Sequence, residues 1–157
     1  MEKGNSGRNA ERTEKCSQDR STLIKAAFSA RENSYSPYSH FRVGAALLAG
    51  NGKIYTGCNV ENASYPVGIC AERTALCKAV SEGERRFRAL AVTGGREGRG
   101  MAAPCGMCRQ ALREFCGPDF IILLVEDVNK YEIRTLGQLL PDSFGPENLG
   151  STGADIR

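Results

Sequence analysis

The sequence predicts an α/β protein in which a mixed five-stranded sheet carries helices on both faces, a three-layer α/β/α sandwich. Two observations support this fold class. Short, continuous apolar runs that are typical of buried strands alternate along the chain with stretches of helical periodicity. The resulting order of elements is α-β-β-α-β-α-β-β, and 157 residues are enough for one domain with a single core.

The first three elements are a helix and a hairpin. Ser21 is a candidate N-cap, and the apolar residues after it recur at helical spacing, which predicts a helix over residues 21–31. Residues 43–49 form a continuous apolar run and are predicted to be a buried strand. An Asn-Gly pair follows as a hairpin turn signal, so residues 53–57 are predicted to be the return strand.

The remaining elements alternate between helix and strand. Helices are predicted at residues 70–80 and 105–115, and each begins with a cysteine. Apolar runs at 87–93 and 120–125 predict buried strands, and a glycine-rich stretch follows the first of them. A short strand at 131–135, followed by a helical turn, completes the predicted fold.

The two ends of the chain lack apolar periodicity. Residues 1–20 are polar and contain no apolar signal-peptide core, so we expect a disordered tail there. The domain is predicted over residues 21–148, and residues 149–157 are predicted to be a flexible C-terminal tail.

Composition and charge narrow the possible partners and the compartment. No apolar run is long enough for a membrane span, and a net charge of +3 without a basic stripe does not predict binding to nucleic acid. Seven cysteines are an odd number for a disulfide framework. Without a secretory signal, they predict a reducing compartment and therefore a cytoplasmic protein.

Three of the seven cysteines stand in a pattern typical of a catalytic zinc site. Cys70 and Glu72 form a Cys-x-Glu motif, and Cys105 and Cys108 form a Cys-x-x-Cys motif preceded by Pro104. This pattern matches the signature of zinc-dependent nucleobase deaminases in its all-cysteine form. Three thiolates leave a fourth position for water, as a catalytic zinc site requires. Glu72 is then a proton shuttle and not a ligand.

Taken alone, the cysteines also permit other interpretations. A closed zinc site in a non-catalytic interaction domain would need a fourth ligand, for which Cys77 or His40 is available. A Cys-x-x-Cys pair is also found in redox proteins. The glutamate spacing and Pro104 favour the catalytic site. Both predicted helices that begin with a ligand would present a positive dipole end to the metal, which offsets the thiolate charge.

Beyond the metal motif, the chain resembles cytidine deaminases of the small, all-cysteine, homotetrameric class from about residue 35 to residue 148. Asn59-x-Glu61 and the Ser-Phe-Gly-Pro sequence around Phe144 resemble the nucleoside-specific branch in particular. The matching stretches are residues 38–48, 57–66, 70–75, 104–110, 139–141 and 143–146.

The resemblance implies the fold of that family and one Zn²⁺ per subunit, held by Cys70, Cys105 and Cys108, with Glu72 as the catalytic proton shuttle. It implies hydrolytic deamination of cytidine and 2′-deoxycytidine to the uridines, with release of ammonia, in pyrimidine salvage. It also implies a small-molecule nucleoside substrate and a homotetramer whose active sites are shared between subunits.

The resemblance further implies roles for residues around the substrate. Asn59 and Glu61 would hold the ribose 3′-hydroxyl, and Phe41 would pack against the pyrimidine ring. Phe144 would close over the base from a neighbouring subunit, and Arg73 would neutralise the thiolates. The full set of substrate-binding residues that it implies is Phe41, Asn59, Glu61, Ala63, Tyr65, Ala71, Ala103 and Phe144.

Several of these residues also have structural explanations when they are considered alone. Phe41 suits core packing, Asn59 suits a turn, and Arg73 suits a helix surface. For Ala103, where the family often has serine, only a backbone carbonyl would be used. A different aminopyrimidine, such as a nucleoside antibiotic, or cytosine within a polynucleotide is the alternative substrate.

Overall fold

A mixed five-stranded sheet forms the centre of the computed structural model, which describes residues 6–98 and 100–150. Its strands are β1 (Arg42–Ala49), β2 (Ile54–Cys58), β3 (Phe87–Gly95), β4 (Ile121–Asp127) and β5 (Lys130–Thr135). They lie in the order β2-β1-β3-β4-β5. Strands β3 and β4 are parallel, whereas the other neighbouring pairs are antiparallel, so the predicted mixed sheet is confirmed.

Helices cover both faces of the sheet, as the sequence predicts. They are α1 (Ser6–Arg31), α2 (Ala71–Ser81), α3 (Gly106–Arg113) and the short α4 (Leu136–Leu139). Helix α1 lies on one face, and α2 and α3 lie on the other. None of the helices described is both long and apolar enough to cross a lipid bilayer.

The core is divided by the sheet into two apolar clusters. Alternate residues of a strand point to opposite faces, so each central strand contributes to both. Under α1, the buried residues include Leu23, Ile24, Ala46, Ala91 and Leu123. Under α2 and α3 the cluster is larger, and its buried residues include Leu47, Tyr55, Leu76, Leu90, Val92, Leu112, Phe120 and Ile122.

Helix α1 differs from its prediction in length. It begins at Ser6 instead of Ser21, so the backbone of residues 6–20 is helical where the sequence predicts a disordered tail. The prediction required an apolar face. The sequence of residues 8–20 lacks one, but it contains no glycine or proline and is rich in residues with good helix propensity, which favours a helical backbone. Residues 1–5 and 151–157 lie outside the described residues.

Two glycines allow helices to approach the sheet closely. A Cβ atom at Gly44 would lie 2.1 Å from the carbonyl oxygen of Ala27 in α1. A Cβ atom at Gly57 would lie 2.3 Å from the carbonyl oxygen of Ala71 and 2.4 Å from the amide nitrogen of Ala75, both in α2. Real side chains never come so near to backbone atoms. Gly57 therefore sets the position of α2 against β2.

We expect Gly57→Ala to lower the free energy of unfolding by about 1–3 kcal/mol or more, because α2 has to move away from the sheet. Urea denaturation at a fixed protein concentration measures this change. Gly106→Ala is the matched control, since a Cβ atom there meets nothing within 4 Å. If both variants were as stable as the wild type, the close approach at Gly57 would not be a constraint on the fold.

Candidate metal centre and substrate groove

The three cysteines predicted to bind zinc converge on one point. The Sγ atoms of Cys70 and Cys105 are 3.8 Å apart, and those of Cys105 and Cys108 are 3.5 Å apart. All three sulfurs lie within 4.8 Å of one another. Thiolates bound tetrahedrally at the usual Zn–S distance of about 2.3 Å are separated by roughly 3.8 Å. The arrangement of the sulfurs therefore fits a zinc ion.

Two helix N-termini bring these sulfurs together. Cys70 is the N-cap of α2 and Cys105 is the N-cap of α3, each with an extended backbone, whereas the sequence predicts both as the first helical residues. Cys108 follows in the first turn of α3, three residues later and thus on the same side as Cys105. Unpaired N–H groups and the positive ends of two helix dipoles therefore adjoin the thiols and offset their negative charge.

The number of ligands distinguishes a catalytic site from a structural one. Cys77 and His40, the alternative fourth ligands, are both exposed and lie outside the sulfur cluster. Within residues 19–98 and 100–150, no further cysteine, histidine or carboxylate joins the three thiols. Three protein ligands are typical of catalytic zinc sites, whereas structural sites use four. The cluster therefore does not form the closed site of the alternative interpretation.

Charge is unevenly shared among the thiols. A hydrogen bond from Cys108 lowers the pKa of Cys70 to about 5, and the guanidinium of Arg73 acts in the same direction. The same hydrogen bond and burial raise the pKa of Cys108. Nη2 of Arg73 lies 3.9 Å from the Cys70 sulfur, which places a positive charge where thiolate neutralisation requires it.

Glu72 lies in the first turn of α2, beside the ligand Cys70. Only 4 % of its surface is exposed. Burial raises the pKa of its carboxyl group to about 7, because removal from water disfavours the charged form. A carboxyl group that titrates near neutrality both accepts and donates protons at physiological pH.

A groove of about 690 Å³ opens beside the metal ligands. Its lining includes Asn59, Glu61, Tyr65, Cys70 and Arg73, so five of the residues singled out in the sequence meet here. Small-molecule sites in proteins commonly have volumes of about 300–1,000 Å³. The groove is therefore large enough for a nucleoside.

Asn59 connects the segments that border the groove. Its Oδ1 accepts hydrogen bonds from the amide of Val43 at 2.8 Å and from the hydroxyl of Ser34 at 2.6 Å. Its Nδ2 donates to the carbonyl of Phe41 at 2.8 Å. These hydrogen bonds give Asn59 a structural role in the loops, of the kind that an asparagine considered alone suggests. An amide has two N–H donors, and one of them is not used in these contacts.

Glu61 is bound to the loop that precedes β1. Its Oε2 accepts from the amides of Tyr38 at 2.9 Å and Ser39 at 3.2 Å, and its Oε1 accepts from the Ser39 hydroxyl. The hydrogen bond from Ser39 lowers the pKa of Glu61, which keeps it ionised. The carboxylate thus lies in the groove as a fixed acceptor.

The other predicted substrate residues do not line this groove. Phe41 is 36 % exposed, and Ala71 is buried as the first residue of α2. The remaining three, Ala63, Ala103 and Phe144, are exposed. In a single chain, therefore, the structure gathers the metal ligands and the predicted ribose-binding pair but leaves Ala63 and Phe144 apart from them.

Sequence reasoning missed several groove residues. The ring of Tyr38 meets that of Tyr65 edge to face, with centroids 5.9 Å apart, and Ser39 fixes Glu61. Ile69 and Met107 also contribute to the lining. Tyr38 and Ser39 fall within a stretch that matches the family, but nothing local marks them as groove residues, because their contacts are to residues more than twenty positions away.

The fold is an α/β/α sandwich, and its three-thiol metal centre lies at the N-termini of two helices. This combination is typical of zinc-dependent deaminases. A family model described as the cytidine and deoxycytidylate deaminase zinc-binding region matches residues 17–124. The chain belongs to this family of cytidine and deoxycytidylate deaminases.

Named relatives are similar over most of their length. The chain is 50 % identical over 127 residues to a cytidine deaminase of Sporosarcina psychrophila, covering 81 % of this chain and 92 % of the relative. It is 46 % identical over 131 residues to a cytidine deaminase of Halalkalibacterium halodurans, covering 83 % and 98 %.

Solved structures agree in fold. A crystal structure of cytidine deaminase from Burkholderia pseudomallei is 48 % identical, with a TM-score of 0.72, and the match covers 78 % of this chain and 97 % of that one. A cytidine deaminase structure from Mycobacterium tuberculosis is 44 % identical with a TM-score of 0.67, covering 79 % and 95 %. The predicted fold class is confirmed.

We expect Cys108→Ala to lose zinc and thermal stability together, because metal binding and folding are coupled. Elemental analysis of zinc per chain and the melting temperature measure both effects. Cys77→Ser is the matched control, since Cys77 is exposed and outside the sulfur cluster. One zinc per chain in Cys108→Ala, with an unchanged melting temperature, would contradict the assignment of this ligand.

Proposed function

We propose that this chain hydrolytically deaminates cytidine and 2′-deoxycytidine to uridine and 2′-deoxyuridine and releases ammonia. The proposal is carried by one observation: the three-thiol centre and the buried Glu72 lie beside a groove of nucleoside size in a member of this family. Cys70, Cys105 and Cys108 would hold Zn²⁺, which would lower the pKa of a water molecule to near neutrality.

Glu72 moves the protons of the reaction. Its carboxylate accepts a proton from the attacking water and donates it to N3 of the pyrimidine ring. The water oxygen adds to C4 of the ring. Glu72 then takes the proton of the added hydroxyl group and transfers it to the amine, which leaves as ammonia while the C4 carbonyl forms. Its pKa of about 7 and its place two residues after the ligand Cys70 support this role. Arg73, beside the Cys70 sulfur, supplies the positive charge that balances the thiolates.

Asn59 and Glu61 hold the ribose. A hydroxyl group donates one hydrogen bond and accepts others, so the 3′-hydroxyl can donate to the fixed Glu61 carboxylate and accept from the remaining N–H of Asn59. Their common position in the groove supports this assignment. Phe41 packs against the base, and Ala71 borders it.

The backbone carbonyl of Ala103 accepts the substrate amine. Pro104, which is buried, restricts Ala103 to an extended conformation in which its carbonyl is free to accept. A side chain is not needed for this contact, so alanine in place of the serine common in the family is no obstacle.

The active site is shared between subunits of a homotetramer. Ala63 and Tyr65 contact the ribose 5′ side and Phe144 covers the base, each from a neighbouring subunit. Phe144 is 58 % exposed in the single chain. Tyr65 is 76 % exposed although it lines the groove of its own chain, and both exposures support contact with another surface. The large apolar side chains that line the groove and are exposed are Tyr38, Val60, Tyr65 and Met107.

The reaction belongs to pyrimidine salvage in the cytoplasm. The six cysteines within residues 19–98 and 100–150 are free thiols. Thiols that bind a metal must stay reduced, and a reducing compartment keeps them so. This supports the proposed location.

The decisive test is the absorbance of cytidine incubated with zinc-loaded protein, compared with 2′-deoxycytidine, cytosine, blasticidin S and a cytosine-containing oligonucleotide. We expect conversion of both nucleosides to their uridines. Turnover of the oligonucleotide or blasticidin S, with no turnover of cytidine, would overturn the proposal.

Glu72→Gln is expected to keep the fold and one zinc per chain but to lose most turnover, because an amide cannot cycle a proton. Steady-state kinetics on cytidine and zinc analysis measure the two properties. Glu82→Gln is the control, since Glu82 is an exposed residue paired with Lys53. Activity of Glu72→Gln within tenfold of wild type would remove Glu72 from the mechanism.

Mixed oligomers test the shared site. Glu72→Gln and Phe144→Ala chains, each weakly active alone, are co-expressed or refolded together. Some sites in the mixture would combine an intact Glu72 with an intact Phe144 from another chain, so we expect activity above the sum of the parents. Strict additivity in verified mixed oligomers, with a clearly impaired Phe144→Ala parent, would show that Phe144 acts within its own subunit.

A further inference from the structure

Arg113, the last residue of α3, is a buried arginine that faces the C-terminal segment of the chain. Only 8 % of its surface is exposed. Its Nε donates to the hydroxyl of Ser143 at 2.9 Å, and its Nη2 pairs with the carboxylate of Glu147. A guanidinium removed from water is costly unless it is paired and hydrogen-bonded. The contacts of Arg113 are therefore those of a buried, hydrogen-bonded ion pair and not those of a solvent-exposed one.

Gly145 completes this contact. A Cβ atom there would lie 2.6 Å from Cζ and Nη2 of Arg113 and 2.7 Å from Oε2 of Glu147. The backbone at Gly145 is extended, with φ −146°, so other residues could adopt its conformation. A side chain at this position would therefore displace the guanidinium of Arg113 or the carboxylate of Glu147, whereas the backbone itself does not require glycine.

Phe144 lies between these two anchoring points. Its carbonyl accepts a hydrogen bond from Nε2 of Gln110 at 3.1 Å, whereas its side chain is 58 % exposed. Gln110 and Arg113 are three residues apart and therefore share one face of α3. The segment is thus fixed to α3 before, at and after Phe144, although the sequence after residue 140 has no periodicity that predicts packing.

An anchored segment presents an exposed aromatic ring at low entropic cost. An unrestrained segment would lose backbone freedom each time its ring closed over a ligand, and that loss of conformational entropy opposes binding. A segment that is ordered beforehand avoids most of that cost, and the benefit appears in ligand affinity.

We infer that Arg113 is a positioning residue, which orders the segment 143–147 on α3 and thereby holds the ring of Phe144 ready to close over the nucleoside. This inference rests on the proposed role of Phe144 in the shared active site. Glu147 and Gly145 assist Arg113, the first as its ion-pair partner and the second by leaving room for its guanidinium.

A double-mutant cycle tests the inference. Arg113→Gln removes the ion pair, and Gly145→Ala displaces the guanidinium without a change in charge. Each is made in the wild type and in Phe144→Ala, and kcat and KM for cytidine are measured with zinc content and melting temperature. Arg134→Gln is the matched control, because Arg134 forms an exposed ion pair with Glu132 on β5. If Arg113→Gln does not fold, Gly145→Ala still tests the inference, because it displaces the guanidinium and leaves Arg113 in the chain.

We expect each single variant to raise KM by roughly three- to tenfold, with kcat within about twofold of wild type, because the loss is in substrate binding. In the Phe144→Ala background neither variant should raise KM further, since residues that act through one another are not additive. The Arg134→Gln control should match the wild type.

Three other outcomes would contradict the inference, and they distinguish an error about Arg113 from an error about Phe144. If Phe144→Ala raises KM but Arg113→Gln and Gly145→Ala do not, Arg113 is not a positioning residue. Additive effects in the Phe144→Ala background would also overturn the inference, because Arg113 would then act elsewhere. An unchanged KM in Phe144→Ala would overturn the role of Phe144 and this inference with it, whereas cytidine turnover by the wild type would still support the proposed deaminase.

Discussion

The convergence of three thiols on two helix N-termini is the interaction on which the rest of this structure depends. Sulfurs 3.5–3.8 Å apart concentrate negative charge once they bind a metal. Two dipole ends and the Arg73 guanidinium offset that charge. The N-termini of α2 and α3 must therefore lie next to each other, and contacts of both helices with the sheet position them there. Helix α2 packs against β2 at Gly57, and α3 begins after the loop that leaves the carboxyl end of β3.

Helix α3 also lies in the only parallel crossover of the described sheet, between β3 and β4. Sites in open α/β sheets are commonly found beyond the carboxyl ends of parallel strands, and the loop after β3 leads directly to Cys105. Arg31 holds the end of β3 from which this loop leaves, because its Nη2 donates to the carbonyl of Gly95 at 3.1 Å. Helix α1, on the opposite face of the sheet, thereby helps to fix the approach to the metal ligands.

Local patterns predicted the fold and the metal centre because both depend on short-range regularities. Apolar periodicity defines the strands, and the Cys-x-x-Cys spacing defines one face of a helical turn. The start of α1 at Ser6 escaped prediction because it depends on propensity alone, without an apolar face. The burial of Arg113 escaped it because arginine is usually exposed, and its partners lie thirty or more residues further along the chain. Asn59 lines the groove, and its three hydrogen bonds to Ser34, Phe41 and Val43 depend on tertiary structure that no local pattern predicts.

The shortness of α3 has a mechanical consequence. Cys108 and Arg113 are five residues apart in a helix that rises about 1.5 Å per residue, so their backbones are separated by roughly 7–8 Å along one rigid rod. The metal ligand and the anchor of the C-terminal segment cannot move independently. Any tilt or slide of α3 displaces the Cys108 sulfur and the segment that carries Phe144 together. Because Phe144 is proposed to act in a neighbouring subunit, a movement at one metal centre would be transmitted to a second site.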